Sequence, residues 1–139
     1  MAYNVMKSDE QWRQLLGREQ FAILRQAATE RPWTGDLLEE HRAGTYSCGA
    51  CNAELFAADT KFEAHCGWPS FYEAIRPDAV EYVEDRAHGM LRTEVRCANC
   101  GSHLGHIFPD APQTPTGDRF CMNSLSLRFT PAEQPVSGE

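Results

Sequence analysis

Two Cys-x-x-Cys pairs, Cys48-Gly49-Ala50-Cys51 and Cys97-Ala98-Asn99-Cys100, stand 45 residues apart, and no other feature of the chain restricts its fold as much. Two such knuckles offer four thiolates at tetrahedral spacing, the donor set of a closed structural Zn²⁺ or Fe site. Redox-active pairs and free surface thiols are the alternatives, but neither pair opens a helix after a strand, as a thioredoxin-like motif does. His103 and His106 follow Cys100 closely enough to replace a cysteine in a mixed site. With four thiolates already present they are surplus, and they are expected to be free. A deaminase-type centre does not fit, because Arg96 rather than proline precedes Cys97 and no His-x-Glu stands at the first knuckle. The expected ligands are therefore Cys48, Cys51, Cys97 and Cys100, holding one structural zinc that staples the two ends of a β region together.

The patterning around the knuckles is mainly β, with helices before it. At 139 residues the chain is one domain, long enough to bury roughly two-thirds of the surface its unfolded form exposes. Ser8 and Gln11 form a capping box ahead of Trp12, Leu15 and Leu16, which share a helix face. Phe21, Leu24 and Ala28 mark a second helix that should end before Pro32. Trp33, Leu37 and Leu38 predict a further short turn of helix capped by Thr34. After Gly44 the pattern shifts to strands, expected over residues 46–48, 54–56, 80–83, 91–95 and 120–129, with 85–89 as a hairpin turn. The expected architecture is a helical part over about 8–42 and a β region over about 44–130. The antiparallel sheets should form a small barrel-like core, and the tail from 131 to 139 should fray.

Charge and leader signals narrow the function. Thirteen basic against twenty acidic side chains give a net charge of −7, and no Lys/Arg cluster exists to neutralise phosphates, so nucleic-acid binding is not expected. The opening residues lack a basic stretch ahead of an apolar one, and no apolar run is long enough to cross a membrane. Six cysteines without a secretory signal fit a reducing compartment, the cytoplasm, in which thiols serve metals and catalysis. The acidic surface makes a monomer the expected state.

Two cysteines remain once the ligands are set aside. Cys121 follows Asp118-Arg119-Phe120, and alternation along a strand places Arg119, Cys121 and Asn123 on one side. Only a thiolate is nucleophilic, and a neighbouring cation favours it. Cys66 sits in His65-Cys66-Gly67-Trp68-Pro69-Ser70-Phe71, a loop in which Trp68 and Phe71 supply aromatic surface. The two thiols read either as an attacking and a resolving cysteine or as inert side chains. The segment Gly101-Ser102-His103-Leu104-Gly105-His106-Ile107-Phe108-Pro109-Asp110 adds two imidazoles able to titrate near neutrality and a carboxylate.

Taken together these motifs closely resemble the B-type peptide-methionine (R)-S-oxide reductases, over about residues 8–130. His65 and Ala111 depart from the usual small residue and glycine at their positions. The resemblance implies that Cys121 attacks the sulfoxide sulfur of methionine-R-sulfoxide, preferably in a peptide. It implies that His103 protonates the oxygen, that His106 and Asn123 fix the polar group, and that Trp68, with Phe71, holds the S-methyl end. Arg119, oriented by Asp110, would favour the thiolate. Cys66 would then resolve the sulfenic acid as a disulfide, and thioredoxin would reduce it. A non-catalytic zinc-stapled β module binding a peptide or small ligand in an aromatic pocket shares the knuckles and the aromatic residues. It has no use for a thiol between arginine and asparagine, nor for a second free cysteine.

Overall fold

The computed structural model describes residues 3–132. Helix α1 (Asp9–Leu15) starts where expected: the Gln11 amide donates to Ser8 Oγ at 3.2 Å and the Ser8 amide to Gln11 Oε1 at 2.9 Å. Its Trp12 is fully buried. Helix α2 (Arg18–Gln26) buries Phe21, Ile23 and Leu24 and stops before Ala28. Ala27 turns left-handed at φ 57°, and the Ala28 amide reaches back to the Ala22 carbonyl, which ends the helical ladder. Residues 33–38 form isolated turns rather than the expected helix. Trp33 has φ 70° and donates its amide to the Gly67 carbonyl at 2.7 Å, so it ties the chain to the Cys66 loop instead of starting a helix.

Nine strands follow: β1 (Gly44–Cys48), β2 (Glu54–Ala57), β3 (Lys61–Phe62), β4 (Ser70–Phe71), β5 (Val80–Asp85), β6 (Arg92–Cys97), β7 (His103–Ala111), β8 (Gly117–Met122) and β9 (Leu127–Pro131). They build a three-stranded sheet, β2-β1-β9, and a six-stranded sheet, β3-β4-β8-β7-β6-β5, all antiparallel. The mainly-β, antiparallel reading holds, although the larger sheet does not close into a ring: β3 and β5 remain its edges. The strand expected over 120–129 is two strands in two sheets. A 3₁₀ turn, Ser124–Ser126, intervenes, closed by the Ser126 amide on the Asn123 carbonyl. Of the tail, Pro131 still pairs with Gly44 in β9, and residues 133–139 lie outside the described ones.

Alternation divides the larger sheet into two faces. Val95, Leu104, Phe120 and Met122 point into the core with Phe71, which stacks on Phe56 at 4.5 Å and meets Tyr46 edge-on at 4.9 Å. The opposite face carries polar side chains from β4 to β8. No described helix is long and apolar enough to cross a membrane.

Candidate active site

The polar face assembles by register. Antiparallel Cα partners share a face, and the pairs Ser70↔Cys121, His106↔Cys121, Glu94↔His106 and Asp85↔Arg92 set residues of five strands side by side. Histidines three apart on a regular strand would point to opposite faces. Between Arg96 and Val95 the β6–β7 register slips by one residue, and this β-bulge in β7 turns Leu104 into the core and returns His103 to the face of Glu94 and His106. The two imidazole rings meet at 5.6 Å. Asn123 satisfies the bulge, donating its amide to the Leu104 carbonyl at 2.9 Å and Nδ2 to the same oxygen at 3.1 Å. Ser126 Oγ donates to the His103 carbonyl at 3.0 Å.

A cavity of about 220 Å³ opens on this face, lined by Cys66, Trp68, His106, Arg119, Cys121 and Asn123 together with Thr29, Arg92, Gly105 and Phe108. The sulfurs of Cys66 and Cys121 stand 3.7 Å apart. Hydrogen bonding to Cys121 brings the Cys66 thiol down to about 5, against burial and with help from Ser70 Oγ at 3.3 Å. Cys121 moves the opposite way, raised by its bond to Cys66 and by burial, with Arg119 pulling it down. The opposite directions come from one sulfur–sulfur contact, and Arg119 favours the charged form of either thiol. Arg119 is gripped by both oxygens of Asp110, at 2.9 and 3.0 Å, and lies 4.5 Å above the Phe108 ring. That grip holds the Asp110 carboxyl below its ordinary range.

Trp68 forms one wall, its indole Nε1 donating to the Glu30 carbonyl at 3.1 Å. The Glu30 amide in turn donates to Asn123 Oδ1 at 3.0 Å, so the wall and the asparagine hang from one residue. Three expected site residues do not line the cavity. Asp110 reaches it only through Arg119. Phe71, next to Ser70 on a two-residue strand, faces the core and is fully buried. His103 is 5% exposed and lies behind His106, donating Nδ1 to Glu94 at 2.7 Å.

Sequence reasoning passed over Asp85, Glu94, Arg92 and Glu30. The His106 ring donates Nε2 to Asp85 at 2.7 Å, and the same carboxylate takes Arg92 at 3.4 Å. The polar alternation Arg92, Glu94, Arg96 was visible on the strand, but its partners across the sheet were not.

The knuckle cysteines form a separate cluster, and none of the four lines the cavity. Their sulfurs lie within 4.8 Å of one another, with Cys48–Cys100 at 3.7 Å and Cys51–Cys97 at 3.6 Å. A tetrahedral zinc with bonds of about 2.3 Å separates its sulfurs by about 3.8 Å, so the donor set and spacing fit a four-thiolate metal site. Both knuckles fold alike. The residue after the second cysteine is left-handed, Asn52 at φ 70° and Gly101 at φ 79°, and its amide closes on the carbonyl of the first cysteine at 2.8 Å.

Comparison with known proteins places this geometry. A family model described as the SelR domain matches residues 16–131. A peptide methionine sulfoxide reductase MsrB of Leifsonia xyli subsp. xyli is 64% identical over 132 residues, covering 95% of each chain. The enzyme of the same name from Agrobacterium fabrum is 54% identical over 91% of this chain and 93% of its own. That of Methanosarcina barkeri is 51% identical over 97% and 94%. With a domain match over most of its length and relatives this similar from end to end, the chain belongs to the MsrB family of peptide methionine sulfoxide reductases, the SelR-domain proteins.

Proposed function

We propose that the chain reduces the R epimer of methionine sulfoxide, preferably in peptides, by thiol chemistry at Cys121. Membership of the family makes it an oxidoreductase acting on methionine sulfoxide. The observation that carries the finer reading is the pair of non-ligand sulfurs 3.7 Å apart in a cavity walled by an indole. Trp68 receives the S-methyl group. His106, which lines the cavity, delivers a proton to the sulfoxide oxygen, with His103 behind it and Asn123 fixing the polar end. Arg119, held by Asp110, favours the Cys121 thiolate, which attacks the sulfur. The S–O bond breaks, methionine leaves, and Cys121 carries the oxygen as a sulfenic acid. Cys66 attacks that sulfur, forming a disulfide and releasing water. Thioredoxin, an external dithiol, exchanges with the disulfide and restores both thiols. Cys48, Cys51, Cys97 and Cys100 hold a structural zinc that cross-links the ends of β1 and β6. The cycle ends in two thiols and suits a monomer in the reducing cytoplasm.

The test is turnover of the separated R and S epimers of a blocked methionine sulfoxide by wild type, Cys121→Ser and Cys66→Ser. Consumption of R alone is expected, with Cys121→Ser inactive and Cys66→Ser active with dithiothreitol but not with thioredoxin. A metal-replete wild type that consumes neither epimer would establish the binding-module reading instead.

A further inference from the structure

Each imidazole beside Cys121 has its own carboxylate, and the two are held by different ring nitrogens. His103 is bonded through Nδ1 to Glu94, and His106 through Nε2 to Asp85, both at 2.7 Å. A carboxylate only accepts, so the bonded nitrogen carries the hydrogen and the opposite one is left over. For His103 the remaining nitrogen is Nε2, buried and without a hydrogen-bond partner among the described residues. For His106, which lines the cavity, it is Nδ1.

We propose that Asp85 and Glu94 are positioning residues that fix the imidazoles in opposite senses, so that His106 works on substrate through Nδ1 while His103 is locked as its buried backing. The inference rests on the reductase reading. Asp85 is well placed for this role. It lies at the end of β5, its other oxygen accepts the Ala87 amide at 2.9 Å, and Arg92 at 3.4 Å holds it from β6. Glu94 is held in the same way by Arg96 at 3.0 Å. The charged and titratable groups around His106 are Asp85 from β5, Arg92 and Glu94 from β6, His103 from β7, Arg119 and Cys121 from β8, and Cys66 from the loop. Burial lowers the proton affinity of His106, Arg92 and His103 lower it further, and Asp85 opposes them. Both carboxylates stay ionised: the Ala87 amide and His106 bring Asp85 down to about 2, and His103 with Arg96 outweighs burial at Glu94. Asp85 therefore works against the burial, and without it His106 would give up its proton at a still lower pH.

The experiment uses the full chain, wild type and Asp85→Asn, Asp85→Glu and Glu94→Gln. Asparagine keeps the oxygen that accepts from Ala87, and unchanged melting temperature and metal content control for folding. Long-range ¹H–¹⁵N spectra report the tautomer and titration of His106, and the pH profile of turnover on the R epimer reports its use. An acid is active below its pKa, so the profile falls at high pH. In Asp85→Asn that fall, and the His106 titration, should both move to lower pH by about one unit, the size of effect expected from one adjacent opposite charge. KM should change less than kcat at neutral pH, and Asp85→Glu should restore part of the profile. Glu94→Gln should alter the His103 tautomer and leave the high-pH limb in place. An unmoved His106 titration with turnover intact overturns the pairing. A uniform loss of kcat with the limb unmoved makes Asp85 merely structural and overturns its positioning role. A wild type that consumes neither epimer overturns the reductase reading, and the spectra still decide the pairing.

Discussion

Removing the Arg119 charge is the sharpest test of how Cys121 becomes a nucleophile. Arg119 and Cys121 are two residues apart on one face of β8, and their Cα spacing at the usual strand rise, about 6.6 Å, is taken as the scale of the charge separation. At an effective dielectric constant of about 20, a guanidinium at that distance favours the thiolate by about 2.5 kcal/mol. This corresponds to just under about two pH units, and counter-ions at the cavity mouth reduce it to between about one and two. The sign is fixed by the chemistry: a cation lowers a thiol pKa, so Arg119→Gln raises it, and the variant falls behind wherever the pH lies below its own midpoint. The measurement is the pH dependence of Cys121 alkylation by iodoacetamide, followed on the Cys121 peptide by mass spectrometry. It is made in a Cys66→Ala background, because two thiols whose sulfurs stand 3.7 Å apart would otherwise titrate together. The midpoint should rise by about one to two units, with neutral-pH alkylation slowed by roughly 10- to 60-fold and the two proteins converging at high pH. Asp110→Asn should move the midpoint by less than Arg119→Gln does, since Arg119 keeps its charge and the loss of its two-point anchor is offset by the loss of a carboxylate that opposed the thiolate. A midpoint that moves by less than about 0.3 units in Arg119→Gln would refute the electrostatic account.

Two further outcomes follow from the packing. Stripping the metal with a chelator, or replacing Cys48 with Ser, should lower the melting temperature steeply, because a four-cysteine zinc site contributes on the order of 10 kcal/mol of folding free energy; zinc should restore the chelated protein, and an unchanged melting temperature at zero metal content would count against a structural site. Gly105→Ala should lose about 3 kcal/mol in urea unfolding and most activity, since its added Cβ would lie 2.1 Å from the Cys121 carbonyl oxygen and 2.9 Å from Met122 Cα; wild-type stability would show that β7 and β8 are not held as closely as described.

How much of this was legible in the chain depends on whether the signal was local. The capping box at Ser8 and Gln11, the knuckles, and the shared face of Arg119 and Cys121 are set by residues close in sequence, and the structure shows each of them. The second helix ends early because Ala27 turns left-handed, which alanine does not advertise. The stretch over 101–110 looked broken by glycine, yet it is a nine-residue strand, β7, because Gly105 permits a close approach to β8. Phe71 and Trp68 read alike as aromatic surface, and only the pairing of Ser70 with Cys121 sends one ring to the core and leaves the other at the cavity. Asp85 and Glu94 became visible when β5, β6 and β7 were paired, since contacts across a sheet leave no mark on either strand alone.

The extra residue in β7 acts on the sheet as a frame shift acts on a message. Everything on one side of Leu104 is read on one phase of the alternation, and everything on the other side on the opposite phase. A chain one residue shorter there would keep both histidines, both carboxylates and the nucleophile. It would also hold the two imidazoles on one face, now two residues apart, but it would lose the side chain that fills the core at Leu104 and the carbonyl that accepts both donors of Asn123. Length at this point is therefore as constrained as side-chain identity, and a single-codon deletion at Leu104 should be less tolerated than most substitutions of the leucine itself.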